Sequence, residues 1–182
     1  DKTGVFLETI KLLEDIGYCV KIITLDASFY GVPQARKRTF VIALENYNSH
    51  TNFKSVLGQL LVPSPRNTLW ALEDTGVGKT EFFKPSTLSD ESKRRVEWLF
   101  DNNQHELPDA FRPDCHRLKN HTYKSVYGRM YADRPAPTIT TGCLVMGQGR
   151  FIHPIEARTI TPHEAARLQT FPDFFEFGTQ KR

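Results

Sequence analysis

The chain has 182 residues, of which 39% are apolar and 25% are charged, a composition that suits a globular protein and excludes a disordered one. Its 24 basic and 21 acidic residues leave a net charge of +3, which permits an anionic partner without requiring one. Three widely spaced cysteines and the lack of a Cys-x-x-Cys pair disfavour a disulfide framework and a zinc site. We therefore expect a reducing, cytoplasmic environment. No apolar run approaches the length of a membrane span, and we expect no membrane partner.

The first part of the chain predicts a helix followed by a strand. Residues 4–16 place apolar side chains at spacings of three and four up to Ile16, and Gly17 follows as a helix stop. Residues 18–25 are rich in β-branched apolar residues and predict a strand. Because the chain opens on an aspartate, without an initiator methionine, we expect it to be a piece of a longer protein.

The stretch from Gln34 to Ala43 follows a Gly-Val-Pro turn signal and ends in an apolar run that predicts a second, buried strand. Two strands joined by so short a loop are expected to pair antiparallel. Since alternate side chains of an extended chain share a face, we expect Gln34, Arg36 and Arg38 to point the same way. Guanidinium forks suit phosphate or a planar carbonyl, although this pattern alone is also that of a solvated basic turn.

Residues 45–126 have weak periodicity and many polar residues, as is typical of a loop-rich region. One helix stands out at 90–101, with Ser89 as its N-cap. The run Thr75-Gly-Val-Gly-Lys-Thr80 lacks both the leading glycine and the preceding strand of a phosphate loop. We interpret that run as a surface turn.

Proline marks the two remaining elements. Pro135 and Pro137 force extended backbone, and the β-branched residues that follow them predict an edge strand. Residues 162–171 predict a helix, which Thr161 begins with a capping box and Pro172 ends.

Three separated motifs carry the strongest signal for function. They are Tyr30-Gly-Val-Pro-Gln-Ala-Arg-Lys-Arg-Thr-Phe-Val-Ile-Ala43, Arg134-Pro-Ala-Pro-Thr-Ile-Thr-Thr141 and Arg158-Thr-Ile-Thr-Pro-His-Glu-Ala-Ala-Arg-Leu-Gln-Thr-Phe-Pro-Asp173. In order and spacing they resemble the C-terminal half of the bacterial cytosine-C5 DNA methyltransferases. The first resembles the family's eighth motif, the second its ninth, and the third the segment that leads toward its tenth.

The resemblance implies an α/β fold with three parts. Residues 1–44 would form the edge, a helix plus an antiparallel strand pair, of a Rossmann-like methyltransferase sheet. Residues 45–126 would be a small, loop-rich α+β target-recognition region. Residues 127–182 would hold the ninth motif and the following helix, which pack the recognition region onto the core. The resemblance further implies a bacterial, cytoplasmic, nucleoid-associated protein of a restriction-modification system, with double-stranded DNA as its partner.

Roles for individual residues follow from the same resemblance. It implies that Arg38 donates to O2 of a flipped cytosine and stabilises charge that develops on the ring, that Arg36 supports this site, and that Gln34 orients it. We expect these three residues, together with Arg134 and Thr138, to contact DNA, although the segment from Arg134 is mainly structural. The Arg, Lys, Asn and Gln side chains of residues 45–126 are the candidate base readers.

The departures from the family pattern limit what the chain does alone. The Pro-Cys-Gln nucleophile loop, the Glu-Asn-Val motif, the glycine-rich cofactor loop and the tenth motif are absent from the sequence. The methyl donor implied by the resemblance, S-adenosylmethionine, would therefore be bound mostly outside the chain, and we expect the chain alone to be inactive. We expect Cys19, Cys115 and Cys143 to be small buried or partly buried side chains.

Three interpretations stay open on the sequence alone. The chain is a fragment of a methyltransferase, or a natural subunit of a split enzyme whose remainder acts in trans, or a non-catalytic DNA-binding module. An upstream Pro-Cys-Gln loop in the same reading frame would favour the first interpretation over the second.

Overall fold

The computed structural model of the protein describes residues 2–45, 53–73, 80–118, 125–175 and 177. In chain order its helices and strands are α1 Lys2–Asp15, β1 Cys19–Asp26, β2 Lys37–Leu44, α2 Phe53–Gln59, α3 Thr68–Leu72, α4 Asp90–Asp101, α5 Asp114–Arg117 and α6 Pro162–Arg167. Within these described ranges, no helix is long and apolar enough to cross a membrane. Of the predicted surface turn at residues 75–80, residues 75–79 lie outside the described residues.

The predicted antiparallel strand pair is confirmed. β1 and β2 pair over their whole length, from Cys19 opposite Leu44 to Asp26 opposite Lys37. The helix stop before β1 is also confirmed, because Gly17 has a left-handed φ of 97°, which glycine adopts without steric cost.

The prediction that the second strand is buried is wrong for the described residues. Phe40 is 48% exposed and Val41 39%, and Ile22 on the partner strand is 50% exposed. The helix before them is equally uncovered, with Ile16 at 63% exposure. A single strand pair and one helix bury little apolar area against each other, so the local pattern predicts the elements correctly without predicting a layer that covers them.

The core of the described residues consists of two apolar clusters. The first lies around α3 and α6 and contains Ala71, Leu72, Met130, Ala136, Ile139, Cys143, Phe151, Ile160, Ala165 and Leu168. The second lies beneath α4 and contains Val96, Leu99, Leu107, Met146 and Ile152. Each cluster joins residues from before and after position 126, so the polar middle region and the proline-marked region share their cores.

The two best-marked helices are confirmed, with one correction of length. α4 spans Asp90–Asp101, and the Ser89 side chain caps it. The capping box of α6 is present, since Thr161 Oγ1 accepts from the Glu164 N–H at 3.1 Å. However, α6 ends at Arg167 rather than at 171, because the turn that follows brings Thr170 to a φ of 64°.

The edge strand predicted after Pro135 is wrong for these residues. The segment forms only one isolated bridge, parallel, between Ala136 and Gln34. Proline lacks the N–H that a strand ladder needs, and here Pro135 and Pro137 flank the one residue that pairs.

Candidate nucleic-acid interface

The loop between β1 and β2 fixes the backbone of Arg36. The Asp26 carboxylate accepts from the N–H and the hydroxyl of Ser28, at 3.1 and 2.8 Å, and so caps the short turn that follows. Burial alone would raise the pKa of Asp26, but the hydrogen bonds from Ser28 outweigh it and lower the pKa. The N–H of Ala27 then donates to the Arg36 carbonyl at 2.9 Å and closes the loop.

Arg36 and Arg38 present two permanent positive charges at the start of β2. Arg38 is exposed, and its Nη1 donates to the Lys37 carbonyl at 2.6 Å. Arg36 is half-buried, and its guanidinium makes no hydrogen bond to any residue of the described ranges. Each guanidinium offers five N–H donors, so most of the donors of this pair have no hydrogen-bond partner among the described residues. The arrangement suits an anionic or carbonyl-bearing ligand.

Gln34 does not join this pair, contrary to the prediction that all three side chains point the same way. It is 2% exposed, and its Nε2 donates to the Leu168 carbonyl at 3.3 Å. Its Oε1 accepts from the Ile139 N–H at 3.1 Å. Because β2 begins only at Lys37, the alternation of a strand does not extend back to Gln34, and the side chain serves as a buried cross-link.

The segment of residues 132–139, here called the proline segment, is bonded to the entry of β2. The Ala35 N–H donates to the Ala136 carbonyl at 2.8 Å, and the Ala136 N–H donates to the Pro33 carbonyl at 2.9 Å. The Thr138 hydroxyl donates to the Ala35 carbonyl at 2.9 Å. The hydroxyl predicted to contact DNA therefore makes an internal bond.

On its other side the proline segment is bonded to α3. The N–H and the hydroxyl of Thr68 donate to the Arg134 carbonyl at 2.9 and 2.8 Å, and the Leu69 N–H donates to the Ala132 carbonyl at 3.1 Å. The Arg134 guanidinium lies 4.0 Å from the ring centre of Tyr131, and 58% of its side chain is exposed. The segment thus links α3 to the entry of β2 while leaving one cation on the surface.

Sequence reasoning gave Tyr131 no role, yet it is the centre of a stack. The His105 ring stacks on it, with the ring centres 4.0 Å apart and the planes inclined by 26°, and the guanidinium of Arg150 lies 5.0 Å from the centre of the Tyr131 ring. Arg150 is buried, donates to the His105 carbonyl at 2.8 Å, and pairs with Glu106. No local pattern identifies these partners, because they come together only through tertiary packing.

A buried ion pair fixes the start of α6. Arg158 donates two parallel hydrogen bonds to Glu164, at 2.8 and 2.7 Å, and Glu164 is 2% exposed. Burial opposes both charges, but the mutual hydrogen bonds outweigh it, so the pKa of Glu164 is lowered and that of Arg158 is raised. The paired carboxylate therefore stays ionised and holds the capping box together.

His153 lies beside this pair as a neutral ring. Its Nδ1 accepts from the N–H groups of Ile155 and Glu156 at 3.2 and 3.0 Å. Burial lowers the pKa of His153, and the nearby Glu164 carboxylate only partly offsets that effect. The imidazole is thus a buried acceptor that caps a turn, and protonation would remove that acceptor.

The cysteines of the described residues are not arranged as a nucleophile or as metal ligands. Cys143 is buried and Cys19 partly so, but Cys115 is exposed, which corrects the prediction for that residue. Burial raises the pKa of the Cys143 thiol and so disfavours the thiolate that a nucleophile needs. No group of three or more His, Cys, Asp or Glu side chains in the described ranges is arranged to hold a metal ion.

S-adenosylmethionine does not fit the described residues. Open α/β sheets bind cofactors in the crevice at the carboxyl ends of parallel strands, whereas the strands described here form one antiparallel pair.

Comparison with known proteins agrees with the sequence motifs. The model of the C-5 cytosine-specific DNA methylase family matches residues 1–182. Over 184 residues the chain is 51% identical to the type II methyltransferase M1.BsuMI of Bacillus subtilis, covering 100% of the chain and 42% of that protein. It is 33% identical over 190 residues to the type II methylase M.HgiDII of Herpetosiphon aurantiacus, covering 97% and 51%. The chain therefore spans about half the length of these relatives.

A solved structure supports the same fold. A putative DNA modification methyltransferase encoded within a prophage of E. coli superposes with a TM-score of 0.56 at 20% identity, over 96% of the chain and 56% of that protein. Identity this low shows the fold alone. The family model, by contrast, matches the full length of the chain, and the chain therefore belongs to the C-5 cytosine-specific DNA methylase family.

Proposed function

We propose that the chain is the C-terminal portion of a DNA (cytosine-5-)-methyltransferase. The complete enzyme transfers a methyl group from S-adenosylmethionine to C5 of a flipped cytosine within a specific sequence of double-stranded DNA. The family membership and the partial coverage of longer relatives support this proposal. Because those relatives are named type II methyltransferases, we propose that the protein acts in the cytoplasm of a bacterium within a restriction-modification system.

The observation that carries the proposal is the arginine pair at the start of β2. The backbone of Arg36 is fixed by the bond from Ala27, and the exposed Arg38 guanidinium uses one donor on its own neighbour. In this proposal Arg38 donates to O2 of the flipped cytosine and stabilises negative charge that develops as the base is attacked. Arg36 holds the base and the neighbouring groups in place.

The remaining parts divide the work of recognition and assembly. The exposed apolar surface of α1 and of the strand pair packs against the rest of the methyltransferase sheet, which supplies the nucleophile and the S-adenosylmethionine pocket. Residues 45–126, together with the segments on which they pack, read the DNA sequence. The proline segment fixes the position of the base-reading residues relative to the arginine pair.

The test is methyl transfer by the complete protein that carries this chain. Purified enzyme is incubated with labelled S-adenosylmethionine and mixed double-stranded DNA, and the modified bases are identified and mapped. We expect 5-methylcytosine within one recurring sequence, and no transfer by the 182-residue chain alone. Methyl groups on an exocyclic nitrogen, or no transfer by the complete protein, would refute the proposal.

A further inference from the structure

We propose that a second arginine pair, Arg66 and Arg167, binds a phosphodiester group of the DNA backbone. The two residues line one cleft of about 250 Å³ between α3 and α6, together with Trp70, Thr170, Phe171 and Asp173. The inference rests on the function proposed above and adds to it a positioning contact that none of the sequence motifs indicates.

The first arginine is held in place by the start of α3. Asn67 caps this helix, since its side chain accepts from the Trp70 N–H at 2.8 Å, and the cap sets the indole on the first turn. The guanidinium of Arg66 lies 4.0 Å from the centre of that indole. It makes no hydrogen bond to a residue within the described ranges. Stacking on an aromatic face pre-organises the planar fork, so Arg66 presents a full set of N–H donors to the cleft at low cost in side-chain entropy.

The second arginine carries an unsatisfied donor. Arg167 is the last residue of α6, and its Nη1 is buried without a hydrogen-bond partner among the described residues. Its Nε lies 3.6 Å from the Asp173 carboxylate, too far for a hydrogen bond, and that carboxylate is within 3.0 Å of His163. Two buried arginines among the described residues do have acceptors for their guanidinium groups. Arg95 donates to the Phe111 carbonyl, and Arg150 donates to the His105 carbonyl.

A phosphate oxygen is the acceptor that fits these donors. Guanidinium forks bind planar and tetrahedral oxyanions through paired, charge-assisted hydrogen bonds. The cleft volume of about 250 Å³ exceeds that of several water molecules at about 30 Å³ each, so it has room for a phosphate group. The indole and the Phe171 ring supply apolar walls of the kind that a sugar contacts.

The cleft is also joined to the proposed base site through one buried side chain. Arg167 immediately precedes Leu168, whose carbonyl accepts from Gln34, and Gln34 lies two residues before Arg36 along the chain. One buried hydrogen bond thus links the segment that leads into the arginine pair to the end of α6, where Arg167 lies. A phosphate bound there would fix the position of the duplex relative to the flipped base.

The experiment measures DNA affinity of the complete methyltransferase as a function of salt, for wild type and for Arg66→Ala. Each phosphate contact contributes about 0.9 to the slope of log affinity against log salt concentration. We expect that slope to become shallower by about one in the variant. We also expect roughly tenfold weaker binding at low salt. The matched control is Lys11→Ala, since Lys11 is an exposed cation on α1 that lies outside residues 45–126 and is not among the proposed DNA contacts.

Two further variants separate the site from general charge and from misfolding. Arg66→Lys keeps the charge but loses the fork, so we expect the wild-type slope with weaker binding. Trp70→Leu removes the stacking surface at a position that is 45% exposed, and we expect weaker binding with little change in melting temperature. An unchanged slope in Arg66→Ala, or an equal change in Lys11→Ala, overturns the phosphate site while leaving the proposed methyltransferase intact. Failure of the wild type to methylate DNA overturns both.

Discussion

Replacing Gln34 by leucine tests whether one buried amide holds the arginine strand to the rest of the protein. Leucine is similar in size to glutamine but lacks both polar atoms of the amide. The Ile139 N–H, now 3.1 Å from Oε1, and the Leu168 carbonyl, now 3.3 Å from Nε2, would lose their partners in a site that is 2% exposed. We therefore expect a loss of stability and a looser attachment of β2.

The magnitude follows from the two orphaned groups. A buried donor or acceptor left without a partner costs about 1–3 kcal/mol, so Gln34→Leu should lower the free energy of unfolding by roughly 2–6 kcal/mol. For a folding unit of about 150–250 residues each kcal/mol corresponds to roughly 2–4 °C in melting temperature, and the expected shift is about 4–24 °C. The control is Gln169→Leu, because Gln169 is exposed and its side chain donates only to the Ala165 carbonyl, four residues earlier. Such surface changes stay within about 0.5 kcal/mol.

The assay combines denaturation of the complete protein with hydrogen exchange at the Ile139 amide. In Gln34→Leu this amide should lose protection while the amides of α4 keep theirs, and the rate of methyl transfer should fall because Arg36 and Arg38 are no longer fixed. If Gln34→Leu and Gln169→Leu have the same melting temperature and the Ile139 amide stays protected, the Gln34 cross-link does not contribute to stability and the reasoning is wrong.

Two other predictions follow from the site. Arg38→Ala in the complete enzyme should lower turnover by on the order of 10²-fold, as does the loss of one charge-stabilising donor, with little change in DNA affinity at fixed salt. The control is Lys37→Ala, which changes the exposed neighbour. Equal losses of turnover and of affinity in Arg38→Ala would indicate a phosphate contact instead. His153, whose pKa burial lowers, takes up a proton on unfolding near its ordinary pKa of about 6.5, so its contribution to stability is complete above that pH and is lost as the pH falls toward the lower folded pKa. His153→Asn keeps an acceptor for the turn but does not titrate, so its melting temperature should fall less between pH 7 and pH 5 than that of wild type, and identical pH profiles would contradict the assignment.

Features coded by neighbouring residues were predictable from the sequence. Ser89 and Thr161 cap their helices as expected, because a cap is a bond between residues three apart. The antiparallel strand pair was predictable from the short loop. The family could also be identified, since it depends on three motifs that are each continuous in the chain.

Features that depend on distant partners were not predictable. Gln34 turns inward because acceptor and donor groups from positions 139 and 168 lie within reach, and no rule of strand alternation contains that information. The cleft of Arg66 and Arg167 joins two helices about a hundred residues apart in the chain. The exposure of Phe40 shows the same limit, because a hydrophobic pattern predicts a buried face without saying which part of a protein covers it.

The last prediction concerns which segment transfers sequence specificity between related enzymes. The polar region 45–126 supplies Val96, Leu99 and Leu107 to the second apolar cluster, whereas Met146 and Ile152 come from beyond it. Exchanging 45–126 alone therefore packs apolar side chains from two different enzymes against each other. Each side chain that fits poorly lowers the stability by about 1–3 kcal/mol.

Exchanging residues 45–168 instead moves every member of both apolar clusters together. We expect this longer chimera to melt near the parent temperature and to methylate the donor's sites, and the shorter one to melt lower and to lose activity. Methylated cytosines are mapped on mixed DNA for both chimeras, with circular dichroism melting as the stability readout. If the longer chimera is folded and active but keeps the parent's sites, base reading lies outside residues 45–168. If the shorter chimera is as stable as the longer one, the shared cluster does not couple the two regions, and the packing argument fails while the assignment of specificity stands.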